Sequence, residues 1–421
     1  MEENIQTEEI NLEENKPKTK NRFWLGTLVG ALSMFLICGL FGGATALLFA
    51  FGGDGPKKSQ DSEWDDSVIT AETIEKIKEI QAYIESDYLY YEDMDEEALQ
   101  DAIIKGYVSG LEEPYSVYYD AKETKELFET TTGTFGGIGV GIQLDKTSGL
   151  ITFTTIYPKN PGEEAGFKVG DIVYKVNGED VSGQDLDTVV SKIRGEIGTQ
   201  VEITVVRDGK EYTAKATRAL IENETVFHEM KQNKIGYIQI TGFEEPTYKQ
   251  FAEAMDELDK KGMKGLVIDL RSNPGGNLST VCQMCDLILP EGNVVSIKDR
   301  NGNGQAFRSD ANTVLDVPLV VLVNQYSASA SEIFASAVQD FGVGKIVGKT
   351  TYGKGIVQNL YELSDGTVLK ITCSEYFSAK GNTIHKIGVK PDVEVDYVYD
   401  ESNPTYDNQL EKAIEVLKKG M

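Results

Sequence analysis

Continuous runs of Val, Ile and Leu alternate with amphipathic helices through the second half of the chain. The apolar runs are KIGYIQIT, GLVIDL and PLVVLVN, and the helices that follow them are predicted over 247–261, 278–288 and 330–341. Strands that are buried on both faces have this composition, because helices cover both sides of their sheet. The alternation therefore predicts an α/β region with an at least partly parallel sheet.

A mostly β region precedes it, between about residues 133 and 220. Its predicted strands are GGIGVGIQL, ITFTTIY, DIVYKVNG and VEITVVRDGKEYTAKATR, the last containing a hairpin turn at Arg207-Asp208-Gly209-Lys210. One helix interrupts them, with Leu186, Val189, Val190 and Ile193 at helical spacing. Since 421 residues exceed one ordinary domain, we predict a multidomain α+β protein.

The N-terminal region contains a long uncharged stretch. Residues 23–53 carry no charged side chain, whereas Lys16, Lys18, Lys20 and Arg22 precede them. A bilayer span needs only about 20 apolar residues, and the positive-inside rule places residues 1–22 in the cytoplasm. A cleaved signal peptide is the alternative, with an A-x-A site at residues 44–46. The stretch is longer than a typical signal-peptide core, so a retained anchor is favoured.

Charge and cysteine content exclude several classes of site. The 41 basic against 68 acidic residues give a net charge of −27, which disfavours nucleic acid because phosphate binding depends on Lys and Arg. Cys282 and Cys285 form a CxxC inside a predicted helix, without a second CxxC or a nearby His. A zinc site needs four such ligands, so these cysteines are predicted to be core residues.

A serine cluster joins the strand PLVVLVN to the helix after it. NQYSASASEIF contains Ser327, Ser329 and Ser331. The free N–H groups of a helix start, such as that of Ala330, suit a developing oxyanion. Serine is also a preferred helix N-cap, which is the alternative reading of this position.

A serine nucleophile needs a base. The two histidines, His228 and His385, lack the surroundings of a triad histidine and are predicted to be structural. Lys354 lies between two glycines in TYGKGIVQ, where burial would lower its pKa and allow the free amine to act as a base. A lysine between glycines can equally be a solvated turn residue.

Residues 133–220 resemble a PDZ domain. Gly136, Gly137, Ile138, Gly139 and Val140 match the loop that receives a peptide C-terminus, the stretch 161–183 matches the central part, and the helix at 185–194 matches the groove wall. Such a loop points consecutive N–H groups at one carboxylate, and the peptide adds as a strand.

NQYSASASEIF and VGKTTYGKGIVQ resemble the active-site motifs of the carboxyl-terminal processing peptidases, or tail-specific proteases. The resemblance implies a serine endopeptidase with Ser329 as nucleophile, Lys354 as base 25 positions later and Gln358 as third residue. It also implies an oxyanion site from Ala330 with a glycine N–H, for which Gly275 is preferred to Gly276. EEPYSVYYD, KGLVIDLRSNPGG and GVKPDVEVD extend the resemblance, whereas IHKIGVKPD departs from the family's second Gly-Lys-Gly.

The predicted organisation has seven segments. They are a cytosolic tail (1–22), a transmembrane anchor (23–53), a linker (54–69), an N-terminal helical dimerisation segment (70–132), the PDZ-like domain (133–220), a crotonase/ClpP-like α/β protease core (221–397) and a C-terminal helical tail (398–421). Helical apolar stripes at 74–84, 99–111 and 410–417 favour packing on a neighbour or a second copy. The resemblance implies polypeptide substrates with free C-termini and a homodimer, and no cofactor or metal.

Three alternatives remain at this point. The first is a non-catalytic PDZ scaffold at the membrane surface, and the second is another hydrolase or a hydratase on a related core. The third is a Ser-His-Asp protease, which the weak context of both histidines disfavours. Glu332, Asp340 and Arg271 are predicted to be structural, and the physiological substrate is not indicated.

Overall fold

The computed structural model describes residues 68–145 and 148–420. The predicted tail 1–22 and the predicted span 23–53 lie outside the described residues, as does most of the linker. Among the helices of the two described ranges, none combines the length and apolar character needed to cross a membrane.

The N-terminal helical segment consists of α1 (Ala71–Asp87), α2 (Glu96–Ser109), β1 (Val117–Tyr119) and α3 (Ala121–Thr132). Side-chain oxygens cap the first two helices: Thr70 accepts from the Thr73 N–H and Asp95 from the Ala98 N–H. No residue of α1 is buried. Most of its predicted apolar stripe therefore faces solvent in the single chain.

A two-stranded antiparallel stem, β2 (Thr134–Gly137) with β9 (Ala219–Glu222), joins the PDZ-like domain to the rest of the chain. The domain itself is an antiparallel sheet of order β3-β4-β5-β7-β8. Its elements are β3 (Val140–Asp145), β4 (Leu150–Ile156), α4 (Pro161–Glu164), β5 (Ile172–Val176), β6 (Glu179–Asp180), α5 (Leu186–Ile193), β7 (Gln200–Arg207) and β8 (Lys210–Thr217). Arg207 pairs with Lys210 across the predicted hairpin turn, which confirms that prediction.

The core sheet has the order β10-β11-β12-β15-β16-β19. These strands are β10 (Val226–Lys231), β11 (Ile235–Ile240), β12 (Gly265–Asp269), β15 (Leu319–Val323), β16 (Gly344–Gly348) and β19 (Val393–Glu394). The first pair is antiparallel and the later pairs are parallel. Alternate residues of a strand face opposite sides, so that Leu266 and Ile268 join one core cluster and Val267 joins another. The predicted sheet with two buried faces is confirmed.

Helices cover both faces of this sheet. The clusters place α6 (Thr247–Lys260), α7 (Leu278–Ile288) and α8 (Ala330–Phe341) on one face. The C-terminal helix α9 (Asn408–Lys418) covers the other and buries Ala413 and Leu417. The apolar stripe of α9 is thus used inside the chain, where it packs on a neighbouring element rather than on a second copy.

A second, antiparallel sheet adjoins the core and has the order β1-β18-β13-β14, with β17 also paired to β18. Its core strands are β13 (Gly292–Asp299), β14 (Gly304–Ser309), β17 (Ile356–Glu362) and β18 (Val368–Phe377). Tyr118 of β1 pairs with Leu369 of β18. A strand from the N-terminal helical segment therefore completes a sheet of the core.

The two cysteines of the CxxC lie on α7 within the hydrophobic core. Cys285 is fully buried, and burial raises the pKa of Cys282 to about 12. Across the ranges that the structure describes, no group of His, Cys, Asp and Glu is arranged to hold a metal. The prediction that Cys282 and Cys285 are core residues is confirmed.

Candidate active site

Ser329 stands at the turn between β15 and α8, at the carboxyl end of the parallel strands. Its backbone has φ 55° and ψ −116°, a conformation that L-residues rarely adopt and that costs about 1–3 kcal/mol. An ordinary N-cap residue is extended instead. The strained turn is therefore more than a helix cap, and strain of this kind is concentrated at functional sites.

The three serines of the cluster have different environments. Ser327 and Ser331 are fully buried, and their hydroxyls donate to the carbonyls of Leu270 (2.7 Å) and Asn273 (3.0 Å). Ser329 is partly exposed. Of the three, only Ser329 can present its hydroxyl to a ligand.

Gly275 lies directly against this turn, and Gly276 follows it beside Phe243. A Cβ added to Gly275 would come within 2.7 Å of the Ser329 Cβ and 2.9 Å of the Ala330 nitrogen. Its φ of 102° also requires glycine. The Gly275 N–H, however, donates to Asn273 Oδ1 at 2.8 Å. The N–H groups of Gly276 and Ala330 have no acceptor within the described chain, so that of the two glycines Gly276 is the one whose N–H is free to donate.

Glu332, which the sequence indicated only as structural, links the serine turn to the lysine loop. Its carboxylate is fully buried and accepts from the N–H groups of Ser329 and Lys354, each at 2.8 Å. It also accepts from the Gly353 N–H and the Thr351 hydroxyl, each at 2.6 Å. One side chain thereby fixes the backbone of both predicted catalytic residues.

The Lys354 side chain is half-buried beside aromatic and charged groups. Burial lowers its pKa, and the nearby Lys370 lowers it further, whereas Glu113 and Glu332 act in the opposite direction. The Nζ atom lies 4.5 Å from the centroid of the Tyr115 ring. No hydrogen bond joins this atom to another described residue. The pKa of the amine is thus lowered, and Nζ contacts the Tyr115 ring without a hydrogen bond to the serine.

Gln358 lies on β17, directly after a β-bulge between Val357 and Gln358. Its Nε2 donates to the Thr372 hydroxyl at 3.2 Å, and that hydroxyl donates to Glu113 at 2.8 Å. Gln358 is therefore connected to the N-terminal helical segment, and no hydrogen bond between Gln358 and Lys354 is present.

The histidines do not form a triad with the serine. His228 contacts Glu257 through Nε2 at 3.2 Å, on the outer part of β10 and α6. The His385 backbone packs against Gly355, next to Lys354, but its Nδ1 is buried with no hydrogen-bond partner in the described part of the chain. Neither imidazole has both the serine and the acidic partner that a triad requires.

The predicted peptide-binding loop is divided between two strands and a turn. Gly136 and Gly137 belong to β2, Val140 begins β3, and Gly139 has a φ of 69°. Ile138 is buried, and its carbonyl accepts from the Gly162 N–H at 2.6 Å. Since β3 is an outer strand of its sheet, its free edge can accept an added strand.

Three family models match the chain. The model described as peptidase family S41 matches residues 234–395, the PDZ domain model matches 152–207, and the model described as activating protease CtpB N-terminal domain matches 28–124. These matches fall on the core, the PDZ-like domain and the N-terminal region.

Similar proteins were found among both sequences and structures. The carboxy-terminal processing protease CtpA of Bacillus subtilis (strain 168) is 38% identical over 324 residues, covering 76% of this chain and 69% of that protein. CtpB of the same organism is 36% identical over 328 residues, covering 76% and 68%. A solved structure of a photosystem II D1 C-terminal processing protease is 31% identical with a TM-score of 0.46, covering 81% of this chain and 90% of that one.

Proposed function

Because this chain belongs to peptidase family S41 and is a serine endopeptidase of the carboxy-terminal processing class, we propose that Ser329 is its nucleophile and Lys354 its general base. The observation that carries this assignment is the Glu332 carboxylate, which accepts the N–H of both residues at 2.8 Å. The exposure of Ser329 relative to its buried neighbours and the lowered pKa of Lys354 support the same pair.

In the proposed reaction the neutral Lys354 amine takes the Ser329 hydroxyl proton while Oγ attacks the scissile carbonyl carbon. The carbonyl oxygen becomes an oxyanion that accepts from the N–H groups of Ala330 and Gly276. Lys354 then gives its proton to the leaving amine, and an ester on Ser329 remains. Water, activated by Lys354, hydrolyses this ester and restores the serine hydroxyl.

The lysine side chain has to move for this step. Its Nζ atom lies over the Tyr115 ring in the present structure, whereas a base must be within hydrogen-bond distance of the proton that it abstracts. The hydrogen bond of the Lys354 N–H to Glu332 fixes the backbone, so the movement that we propose is a rotation of the side chain toward Ser329. The role of Gln358 follows from the family resemblance.

We also propose that the PDZ-like domain captures the C-terminal segment of a polypeptide substrate. The free edge of β3 supports this, because an extended peptide can add there as a strand. The carboxylate would be bound by N–H groups of the turn around Gly139, whose positive φ shapes the loop. The enzyme would then cleave the bound chain near its end.

The uncharged stretch of residues 23–53 supports the proposal of a single-pass anchor with residues 1–22 in the cytoplasm. The catalytic part would then act outside the cytoplasm. The exposed apolar face of α1 supports a homodimer.

The catalytic assignment is tested with the full-length chain in detergent and an unfolded protein as substrate. We expect Ser329→Ala and Lys354→Ala each to lower kcat/KM by at least about a thousandfold. Ser327→Ala is the matched control, because its buried hydroxyl serves the Leu270 carbonyl and its loss should leave most activity. Equal cleavage by wild type, Ser329→Ala and Lys354→Ala would contradict the mechanism.

A further inference from the structure

Tyr376 lies on β18 at the junction of the serine turn and the lysine loop. Its side chain is 1% exposed. Its N–H donates to the Gly355 carbonyl at 3.0 Å, which brings β18 directly beside the residue that follows Lys354. The tyrosine is therefore fixed in place by backbone pairing as well as by packing.

The Tyr376 hydroxyl donates to the backbone carbonyls of Ser329 (3.1 Å) and Lys354, sharing its proton between them. Glu332 accepts the N–H groups of these same two residues. Glu332 thus binds both N–H groups of the proposed pair, and Tyr376 binds both carbonyls. Burial raises the pKa of Tyr376 well above its usual range. The hydroxyl therefore stays protonated at neutral pH and remains a hydrogen-bond donor.

We propose that Tyr376 is a positioning residue for catalysis. Its hydroxyl donates to the backbone carbonyls of both the nucleophile and the base, and thereby fixes the distance and orientation between them. This inference rests on the proposed Ser329–Lys354 pair. The strained turn of Ser329, with φ 55°, persists only where its surroundings impose it, and the shared hydroxyl is one such restraint. Small errors of placement are costly, because a shift of about 1 Å can reduce a rate about a hundredfold.

The test compares Tyr376→Phe with Tyr118→Phe in the full-length enzyme. Tyr118 is also buried, at 3% exposure, but its hydroxyl donates to Asp101 in the N-terminal helical segment. Each variant loses one tyrosine hydroxyl, and we expect the larger fall in thermal midpoint for Tyr376→Phe, because its hydroxyl serves two carbonyls. Only Tyr376→Phe should lower kcat, by about 10- to 100-fold, with KM within about twofold of wild type. Equal kcat values for the two variants would overturn the inference.

A second variant restores a hydrogen-bond donor at position 376 and tests whether kcat recovers. Replacing Tyr376 by p-aminophenylalanine keeps the ring and returns an N–H donor, and we expect kcat to recover to within about fivefold of wild type. If Tyr376→Phe does not fold, this replacement carries the test: a folded enzyme without activity would overturn the inference. Retained activity in Ser329→Ala would instead contradict the proposed function. Failure of the Tyr376 inference can therefore be distinguished from failure of the proposed function.

Discussion

Lys370 is a positive charge that helps to set the pKa of Lys354. It lies on β18 with its Nζ 2.6 Å from the Tyr119 hydroxyl. Burial is the largest cause of the lowered pKa of Lys354, and the charge of Lys370 is the second. Lys354 acts as a base only when neutral, so activity rises with pH as this amine loses its proton. Lys370→Gln removes the repulsion and raises the pKa of Lys354. We expect the rising limb of kcat/KM against pH to move to higher pH.

Lys298→Gln is the control for this prediction. Lys298 lies on the neighbouring strand β13 with its Nζ over the Phe377 ring, and it is not among the charges that shift Lys354. Its pH profile should match that of the wild type. An unmoved limb in Lys370→Gln would argue against Lys354 as the titrating base.

Glu332 is expected to be required for both stability and rate. Glu332→Gln leaves one oxygen to serve four donors and turns an amide N–H₂ toward them, which should reduce the free energy of unfolding by about 2–4 kcal/mol. We expect kcat to fall at least about tenfold, because the relation between Ser329 and Lys354 loosens. Denaturant unfolding and steady-state kinetics measure the two effects.

Glu123 provides a matched comparison, because it occupies the same third helical position in α3 and accepts the Asp120 N–H at 3.0 Å. It is more exposed than Glu332, so Glu123→Gln should cost less than about 1 kcal/mol. A loss of the same size in both variants would mean that Glu332 acts only as a helix cap.

At this scale the sequence indicates the proposed pair but not its supports. Local context left Ser329 as a possible helix cap and Lys354 as a possible turn residue, and the resemblance to the carboxyl-terminal processing peptidases singled out the two together. Glu332 and Tyr376 were not recognised as partners of both residues, because their role depends on contacts between segments that are distant along the chain. The same reason explains Gly276: nothing local indicated that Asn273 would occupy the Gly275 N–H.

At the level of elements, the stem of β2 and β9 makes the PDZ-like domain an insertion with adjacent ends. The Asn223 N–H donates to the Gly133 carbonyl at 2.8 Å, so residues 134–222 can be removed by joining Gly133 to Asn223. We expect the remaining protease to fold and to cleave with an altered rate and with less selectivity for free C-termini. Circular dichroism checks folding, and paired substrates with free and amidated C-termini measure selectivity.

Unchanged rate and selectivity after this excision would contradict two proposed roles of the domain, the capture of the substrate C-terminus and the control (gating) of the active site. Gly139→Val in the intact chain separates the two roles. Its φ of 69° and the contact of an added Cβ with Asn160 at 2.3 Å should deform the binding turn while the domain remains present. We expect that variant to lose selectivity mainly through KM.

Elements with local signals were predicted well, and elements defined by distant partners were not. The helices over 247–260, 278–288 and 330–341 lie where apolar periodicity placed them, because each buries one regular face. The pairing of β1 with β18 had no such signal, since three residues carry too little pattern. The intramolecular use of α9 was likewise undetermined, as an amphipathic helix fits its own sheet or a partner equally well.

For the whole molecule, the apolar face of α1 leads to a prediction about assembly. Ile74, Ile77 and Ile80 are 43%, 40% and 54% exposed, and no residue of α1 is buried. We expect the fragment 54–421 to be a dimer by light scattering. Ile77→Glu should shift it toward monomer without unfolding it, whereas Lys78→Glu, which adds negative charge off the stripe, should not. A monomeric mass for the unmodified fragment would contradict the homodimer.

The strand β1 pairs with β18, which is synthesised much later in translation, and this order determines when the enzyme can become complete. Glu113 and its partner Thr372 are 259 positions apart, and the PDZ-like domain and most of the core are translated between them. Tyr376, which bridges the carbonyls of the two proposed catalytic residues, leaves the ribosome later still. A nascent chain therefore carries Ser329 before it carries Lys354, Thr372 and Tyr376, and the proposed site stays incomplete until Tyr376 has been synthesised.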